Sequence, residues 1–191
     1  EKAFIEVKDA VSHSHGPEGE HSHSGVAFTT WLDLDQAAQQ LDAVKQALLP
    51  LVAEAERAQV EARAAKQRAT LTGYDARLKA AGEKLQGRPL LGSHPVYQYL
   101  ARRYALNLRE VHWEPDTVPD AKAQEELKSL LQTHPAKVML WEGEPLAESV
   151  ALLKTLGIES VVFDPCGNRP EAGDFLSVME ANVTALEGLA P

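Results

Sequence analysis

In the second half of the chain, a short apolar run is followed by a polar residue and then by a helical pattern, four times in succession. The runs are Pro89-Leu90-Leu91, Leu108 to Trp113, Val138 to Trp141 and Ser160 to Phe163. Strands that alternate with helical stretches of roughly 10–15 residues predict right-handed βαβ units and a parallel sheet. The sequence therefore predicts an α/β fold with a four-stranded parallel sheet flanked by helices.

The residues just past these runs are the first candidates for a functional site. They are His94, Glu114, Glu142 and Asp164. Open parallel sheets bind ligands outside the carboxyl ends of their strands, and an imidazole with carboxylates suits a divalent metal ion. We take His94 and Asp164 as candidate metal ligands and Glu142 as an auxiliary candidate. The alternative is ordinary strand-end chemistry, with His94 as a capping residue and Asp164 before proline as a turn residue.

A long helical segment precedes the four units. From Ala53 to Leu85 the sequence is rich in Ala, Glu, Lys, Arg and Gln, and Val60 is the only large aliphatic residue between Ala53 and Ala69. Strong helix formers with so narrow an apolar stripe predict a long, largely solvated helix. At 1.5 Å per residue its length is on the order of 50 Å. Pro50 is expected to kink or restart the shorter helix before it.

Residues 11–25 are rich in histidine, serine and glycine. The histidines form two His-x-His pairs: His13, His15, His21 and His23. The segment has little apolar surface to bury, so the sequence predicts a flexible loop. Neutral imidazoles bind zinc, copper and nickel, which makes these four residues auxiliary metal candidates. The alternative is a solvated linker that binds metal only incidentally.

Composition narrows the functional classes. A formal net charge of −9 argues against a nucleic-acid-binding surface, and no apolar stretch approaches the roughly 20 residues of a membrane span. The single cysteine, Cys166, excludes an internal disulfide. An enzyme using His94, Asp164 and Cys166 is the weaker alternative, because the sequence has no nucleophile elbow, phosphate-binding glycine loop or His-Glu-x-x-His helix. We therefore expect a binding protein rather than an enzyme.

The order of these features resembles a known family. A His-rich segment, a Trp-Leu-Asp helix start and a long helix precede Gly-Arg-Pro-Leu-Leu-Gly-Ser-His-Pro-Val-Tyr-Gln-Tyr-Leu, and the chain closes with Val-Val-Phe-Asp-Pro and Phe-Leu-Ser-Val-Met-Glu-Ala-Asn. From about residue 26 onward this is similar to the second half of the zinc/manganese solute-binding proteins of bacterial ABC importers. The resemblance implies two βα lobes that are bridged by one long helix and hold a metal ion between them.

The resemblance also implies a domain organisation. Residues 1–10 would be the end of a truncated N-lobe that is otherwise missing, 11–25 the His-rich loop, 26–87 a linker helix and the interlobe helix, and 88–191 the C-terminal metal-binding lobe. By position, His94 and Asp164 match the family's two C-lobe ligands. Thr29 stands where the family has a ligand histidine. The resemblance thus implies a fragment or degenerate member whose site is incomplete and whose metal is weakly bound or absent.

The function implied by the resemblance is delivery of a divalent metal, zinc first and manganese second, to the permease of an ABC importer. The expected location is periplasmic or extracytoplasmic, with membrane contact only through the permease or an upstream anchor. The alternative function is a periplasmic metal buffer or chaperone that works through the loop histidines. A metal stoichiometry above one, lost when those histidines are replaced, would favour the buffer.

Overall fold

The computed structural model describes residues 4–14, 20–85, 87–170 and 172–189. Its strands are β1 (Glu6–Ser14), β2 (Glu20–Val26), β3 (Leu90–Gly92), β4 (Leu108–Glu110), β5 (Val138–Trp141) and β6 (Glu159–Val162). Its α-helices are α1 (Leu34–Leu48), α2 (Glu54–Leu85), α3 (Gln98–Arg103), α4 (Ala121–Thr133), α5 (Ala147–Thr155) and α6 (Phe175–Leu189). Two short 3₁₀ turns, Thr30–Leu32 and Leu49–Leu51, flank α1.

The predicted parallel sheet is confirmed. Its strand order is β4-β3-β5-β6, and every neighbouring pair is parallel. β4 is shorter than the sequence predicts and ends at Glu110. The chain nevertheless continues beside β3, because the N–H groups of Val111 and Trp113 donate to the carbonyls of Gly92 and Ser93 at 2.9 and 2.7 Å.

The sheet lies between two helical layers. All four residues of β5 are buried, and successive side chains of a strand point to opposite faces. Val138 and Leu140 pack with α1, α2, α3 and α6, whereas Met139 and Trp141 pack with α4 and α5. The three-layer arrangement follows from this alternation, since both faces of the strand carry large apolar side chains.

The long helix is also confirmed, and its two halves differ. α2 has 32 residues, or about 48 Å at 1.5 Å per residue. Before Leu71 its only buried residue is Ala64, whereas Leu71, Leu78 and Leu85 all join the core. The C-terminal half of α2 is therefore packed onto the lobe and does not stand away from it. None of the helices in the described residues is both long and apolar enough to cross a bilayer.

Residues 11–14 and 20–25 differ most from the sequence prediction. β1 and β2 form an antiparallel hairpin in which His13 pairs with His21 and Val11 with His23, so these segments are paired where the sequence predicts a flexible loop. The physical reason is that antiparallel pairing satisfies main-chain N–H and C=O groups locally, without a large apolar face. His15 lies outside the described residues.

Candidate metal site

The strand order creates a crevice at the carboxyl edge of the sheet. β3 leads through α3 to β4 on one side, and β5 leads through α5 to β6 on the other. The two helices lie on opposite faces, since Leu100 of α3 and Leu153 of α5 belong to different core clusters. The loops after β3 and β5 therefore diverge, and such a switch point is where open α/β sheets bind ligands. His94 and Glu142 flank this crevice.

Three potential ligands meet there. One donor atom each from His94, Glu114 and Glu142 can be chosen so that all three lie within 4.8 Å of one another. Nδ1 of His94 lies 3.4 Å from Oε1 of Glu114. His94 is buried, whereas the Glu114 side chain is 44% exposed, so the group is accessible to solvent through Glu114. We call these three residues the rim triad.

Main-chain hydrogen bonds fix the position of His94. The preceding residue, Ser93, donates to the carbonyl of Leu140 on β5 at 2.8 Å and accepts from Trp113 at 2.7 Å. The chain then turns at Pro95, and the N–H of Val96 donates to the carbonyl of His94 at 2.9 Å. Because the main chain of Ser93 is hydrogen-bonded on both sides, the backbone that carries His94 is held in place.

Thr29 lies beside this turn. Its side chain is buried, and its hydroxyl donates to the carbonyl of Val96 at 2.5 Å. Thr29 occupies the place where the family resemblance implies a ligand histidine. The hydroxyl here stabilises the turn that carries His94, and this position offers no imidazole to a metal ion.

The rim triad concentrates negative charge in a half-buried place. Burial, followed by the charges of Glu114 and Asp164, raises the pKa of Glu142 to about 7. A cation at this position would relieve both the repulsion between the carboxylates and the cost of their desolvation. The electrostatics therefore favour a divalent cation over an anion or a neutral ligand.

Asp164 follows β6 at the same edge but is not one of the rim triad. Its Oδ1 accepts a hydrogen bond from the N–H of Cys166 at 2.7 Å. Its charge acts on Glu142, which places it in the neighbourhood of the triad. The sequence predicts that Asp164 and His94 share one ion, and this remains a prediction.

The loop that carries Asp164 is fixed by side chains from three other places in the fold. The carbonyls of Phe163, Asp164 and Pro165 accept hydrogen bonds from Tyr97 Oη at 2.8 Å, Asn182 Nδ2 at 2.6 Å and Trp31 Nε1 at 2.6 Å, respectively. Asn182 is buried and also accepts from the N–H of Asp164 at 3.0 Å. The loop is thus preorganised before any ion binds.

Gly92 makes the Tyr97 contact possible. A Cβ at position 92 would lie 2.9 Å from Cδ2 of Tyr97, which is closer than real Cβ contacts allow. The absence of a side chain lets the Tyr97 ring pack against β3 while its hydroxyl reaches the β6 loop. A glycine is therefore required at the end of this strand.

Cys166 adjoins the site without the properties of a reactive thiol. Burial, with a contribution from the Asp164 charge, raises the pKa of Cys166 to about 11. The thiol is therefore protonated near neutral pH, and only the thiolate is a good nucleophile or metal ligand. This argues against the enzyme alternative in which Cys166 attacks a substrate.

Glu114 was one of the strand-end residues considered from the sequence, but it was not selected as a metal ligand. The available signal was the alternation in 111–114, where Val111 and Trp113 pack into the core. That alternation leaves His112 and Glu114 on the other face. The metal role of His13, His21 and His23 stays a prediction.

Comparison with known proteins identifies the family. The family model of the zinc-uptake complex component A, periplasmic (ZnuA), matches residues 1–188. This chain belongs to that family. A comparison with curated protein sequences gave no significant match. The family is described as a transport component, in keeping with the expectation of a binding protein.

Solved structures share the fold of this ZnuA-family chain. The metal-dependent lipoprotein YcdH from Bacillus subtilis is 19% identical with a TM-score of 0.76, and the match covers 87% of this chain and 65% of YcdH. The Zn(II)-bound ZnuA-like domain of AdcA from Streptococcus pneumoniae is 21% identical with a TM-score of 0.73, with coverages of 86% and 64%. The chain thus spans slightly less than two thirds of the length of these proteins.

Proposed function

We propose that this chain forms the metal-binding lobe and interlobe helix of an extracytoplasmic solute-binding protein. Its cargo is a divalent transition metal ion, which it passes to the permease of an ABC importer. The observation that carries this proposal is the convergence of His94, Glu114 and Glu142 at the switch point of the sheet. Membership of the ZnuA family supports the transport role.

The donor set favours zinc first and manganese second. Imidazole nitrogen suits zinc, whereas carboxylate oxygen also suits manganese. Two ligands of a tetrahedral zinc ion, each about 2.1 Å from it, lie about 3.4 Å apart. Nδ1 of His94 and Oε1 of Glu114 are already 3.4 Å apart, so these two groups can share one ion with little rearrangement.

The rim triad leaves one position of a zinc shell to be filled, because a closed site has four protein ligands. Asp164, the ligand predicted from the sequence, is one candidate for it. Its charge already influences Glu142, and its main chain is fixed by Asn182. A donor from another lobe is the alternative that the family resemblance implies.

Zinc titration against a competing fluorescent chelator near neutral pH tests this function. To remove the imidazoles of the His-rich segment, His13, His15, His21 and His23 are replaced by Asn in every variant. We expect one zinc per chain, with affinity reduced at least about 100-fold by His94→Ala and at least about tenfold by Glu142→Gln. Glu144→Gln is the matched control, because Glu144 is an exposed carboxylate two residues further on. Equal affinity in His94→Ala and Glu144→Gln would refute the site.

A second function, loose metal buffering, is favoured by the register of the hairpin. β1 and β2 pair His13 directly with His21, which brings two histidine positions together in the backbone. We expect additional weak zinc ions on the unmodified chain and their loss in the four-Asn variant. If stoichiometry is one in both proteins, the buffering function is wrong and the rim site is unaffected.

A further inference from the structure

We propose that His112 supplies the fourth ligand of the rim site, so that the lobe by itself offers two imidazoles and two carboxylates to one ion. The proposal rests on the proposed function, because it concerns the same ion that the rim triad would hold. Three features carry it: the backbone direction of residues 111–114, the packing of the His112 ring on His94, and the exposure of His112.

The backbone beyond β4 brings His112 to the site. Val111 and Trp113 donate main-chain hydrogen bonds to the end of β3, so this stretch runs extended beside the strand that leads to His94. Their side chains pack into the core between the sheet and helices α4 and α5. Because side chains alternate along an extended chain, His112 and Glu114 share the opposite face. Glu114 on that face already contacts His94.

The two imidazoles have nearly the separation that one shared ion requires. The ring centroids of His94 and His112 are 5.7 Å apart, and the planes meet at 83°. Two imidazoles on a tetrahedral zinc ion, with Zn–N bonds of about 2.1 Å, have centroids about 5 Å apart. The centroid separation is therefore close to the one that a shared ion requires, and rotation of the His112 side chain would turn a nitrogen toward the ion.

His112 can move, whereas Asp164 is held. The His112 side chain is exposed and can turn about two bonds to adjust its nitrogen. Asp164 accepts a hydrogen bond from Cys166, and its main chain is fixed by Asn182. Both residues lie outside the 4.8 Å group of the described donors, but His112 can close the remaining distance without breaking these bonds.

A second imidazole would change which metal ion the lobe prefers. A shell of two nitrogens and two oxygens is better suited to zinc than one nitrogen with three oxygens, because carboxylate-rich shells also suit manganese. It would also complete the four ligands of a zinc site within one lobe.

Ligand substitution at position 112 tests the proposal, in the chain with His13, His15, His21 and His23 replaced by Asn. His112→Asn should weaken zinc binding about 10–100-fold, and His112→Cys should restore most of that affinity, because thiolate is also a zinc ligand. Asp116→Asn, an exposed change on the same loop, is the control and should stay within about twofold.

Cobalt(II) gives a direct readout of coordination. The His112→Cys variant loaded with cobalt should show a thiolate-to-cobalt charge-transfer band in the near ultraviolet. The parent chain should lack it, because Cys166 is not one of the donors that converge at the rim. The appearance of the band depends on position 112 reaching the ion, and a merely structural role of His112 cannot produce it.

The outcomes separate the two proposals. If His112→Asn binds zinc like the control and the cysteine variant gives no new band, while His94→Ala still loses affinity, His112 is not a ligand and the proposed function stands. If His94→Ala also binds like the control, the rim site itself is wrong and this proposal fails with it. Thermal melts of all variants without metal show whether each is folded.

Discussion

The loops after β3 and β6 both carry a ligand predicted from the sequence, but the side chains around the two loops differ. His94 meets two carboxylates from neighbouring strands and becomes part of the rim triad. Asp164 lies one strand further out, beyond β5, in a loop held by Tyr97, Asn182 and Trp31. The first loop is defined by the donors around it and the second by the hydrogen bonds that hold its backbone.

The difference shows that a shared edge of a sheet does not by itself bring the donor atoms together. Adjacent parallel strands lie about 4.8 Å apart, so β3 and β6, with β5 between them, are separated by about 10 Å at their bases. Side chains from β3 and β5 can meet across one strand spacing, as His94 and Glu142 do. A side chain from β6 can cover the remaining distance to β3 only if its loop moves or if a bound ion bridges the gap.

The largest expected effect is the contrast between the two predicted ligands. His94→Ala should weaken zinc binding at least about 100-fold, whereas Asp164→Asn should weaken it about tenfold, because Asp164 contributes mainly through its charge. Competition titrations of both variants beside Glu144→Gln measure the ratio. Equal losses at the two positions would show that Asp164 is a full ligand and that the two loops act alike.

Removal of the Asn182 amide should affect folding more than any other change to the β6 loop. Asn182→Ala leaves the partly buried N–H and C=O of Asp164 without these bonds, which should cost about 2–3 kcal/mol of unfolding free energy. Urea unfolding without metal measures this cost. Thr184→Ala on the exposed side of the same helix should change it by less than about 0.5 kcal/mol. A small effect at both positions would mean that the loop is not held as described.

Acidification should weaken metal binding through the rim triad. The pKa of Glu142 is about 7 without metal, so below pH 7 its carboxyl carries a proton that an ion must displace. Affinity should therefore fall as the pH is lowered, by up to about tenfold per pH unit for this proton, and level off above pH 7.

Calorimetry in buffers of different ionisation enthalpy measures the protons released per zinc. Near pH 6 the parent chain should release about one proton more than Glu142→Gln, because only the parent has this carboxyl to deprotonate. Asp164→Asn serves as the comparison and should retain most of the release. Identical proton counts in the parent and Glu142→Gln would assign the pH dependence to other groups.

The smallest effect is expected at Trp31. Trp31→Phe keeps most of the aromatic surface but removes the hydrogen bond to the Pro165 carbonyl, which should cost about 1 kcal/mol. The same urea assay measures this cost. A loss as large as that of Asn182→Ala would mean that the 3₁₀ turn before α1, and not α6, is the main support of the loop.

Much of the fold could be predicted from local sequence patterns. The four strand–helix units and the 32-residue helix follow from short-range periodicity and helix propensity. Asp33, predicted at a helix start, accepts from the N–H groups of Asp35 and Gln36 and caps α1. The pairing of β1 with β2 could not be predicted, because main-chain hydrogen bonds carry no apolar signature in the sequence.

The sequence by itself determined which residues stand at strand ends, and therefore which groups could reach the carboxyl edge. Only the tertiary structure decided which of them meet, because strand order depends on pairing between segments that are far apart in the chain. The same holds for the two glycines of α2: a side chain at Gly73 would meet open space, whereas one at Gly82 would collide with the carbonyl of Tyr104. Local propensity treats both glycines alike, and the difference lies in what packs against them.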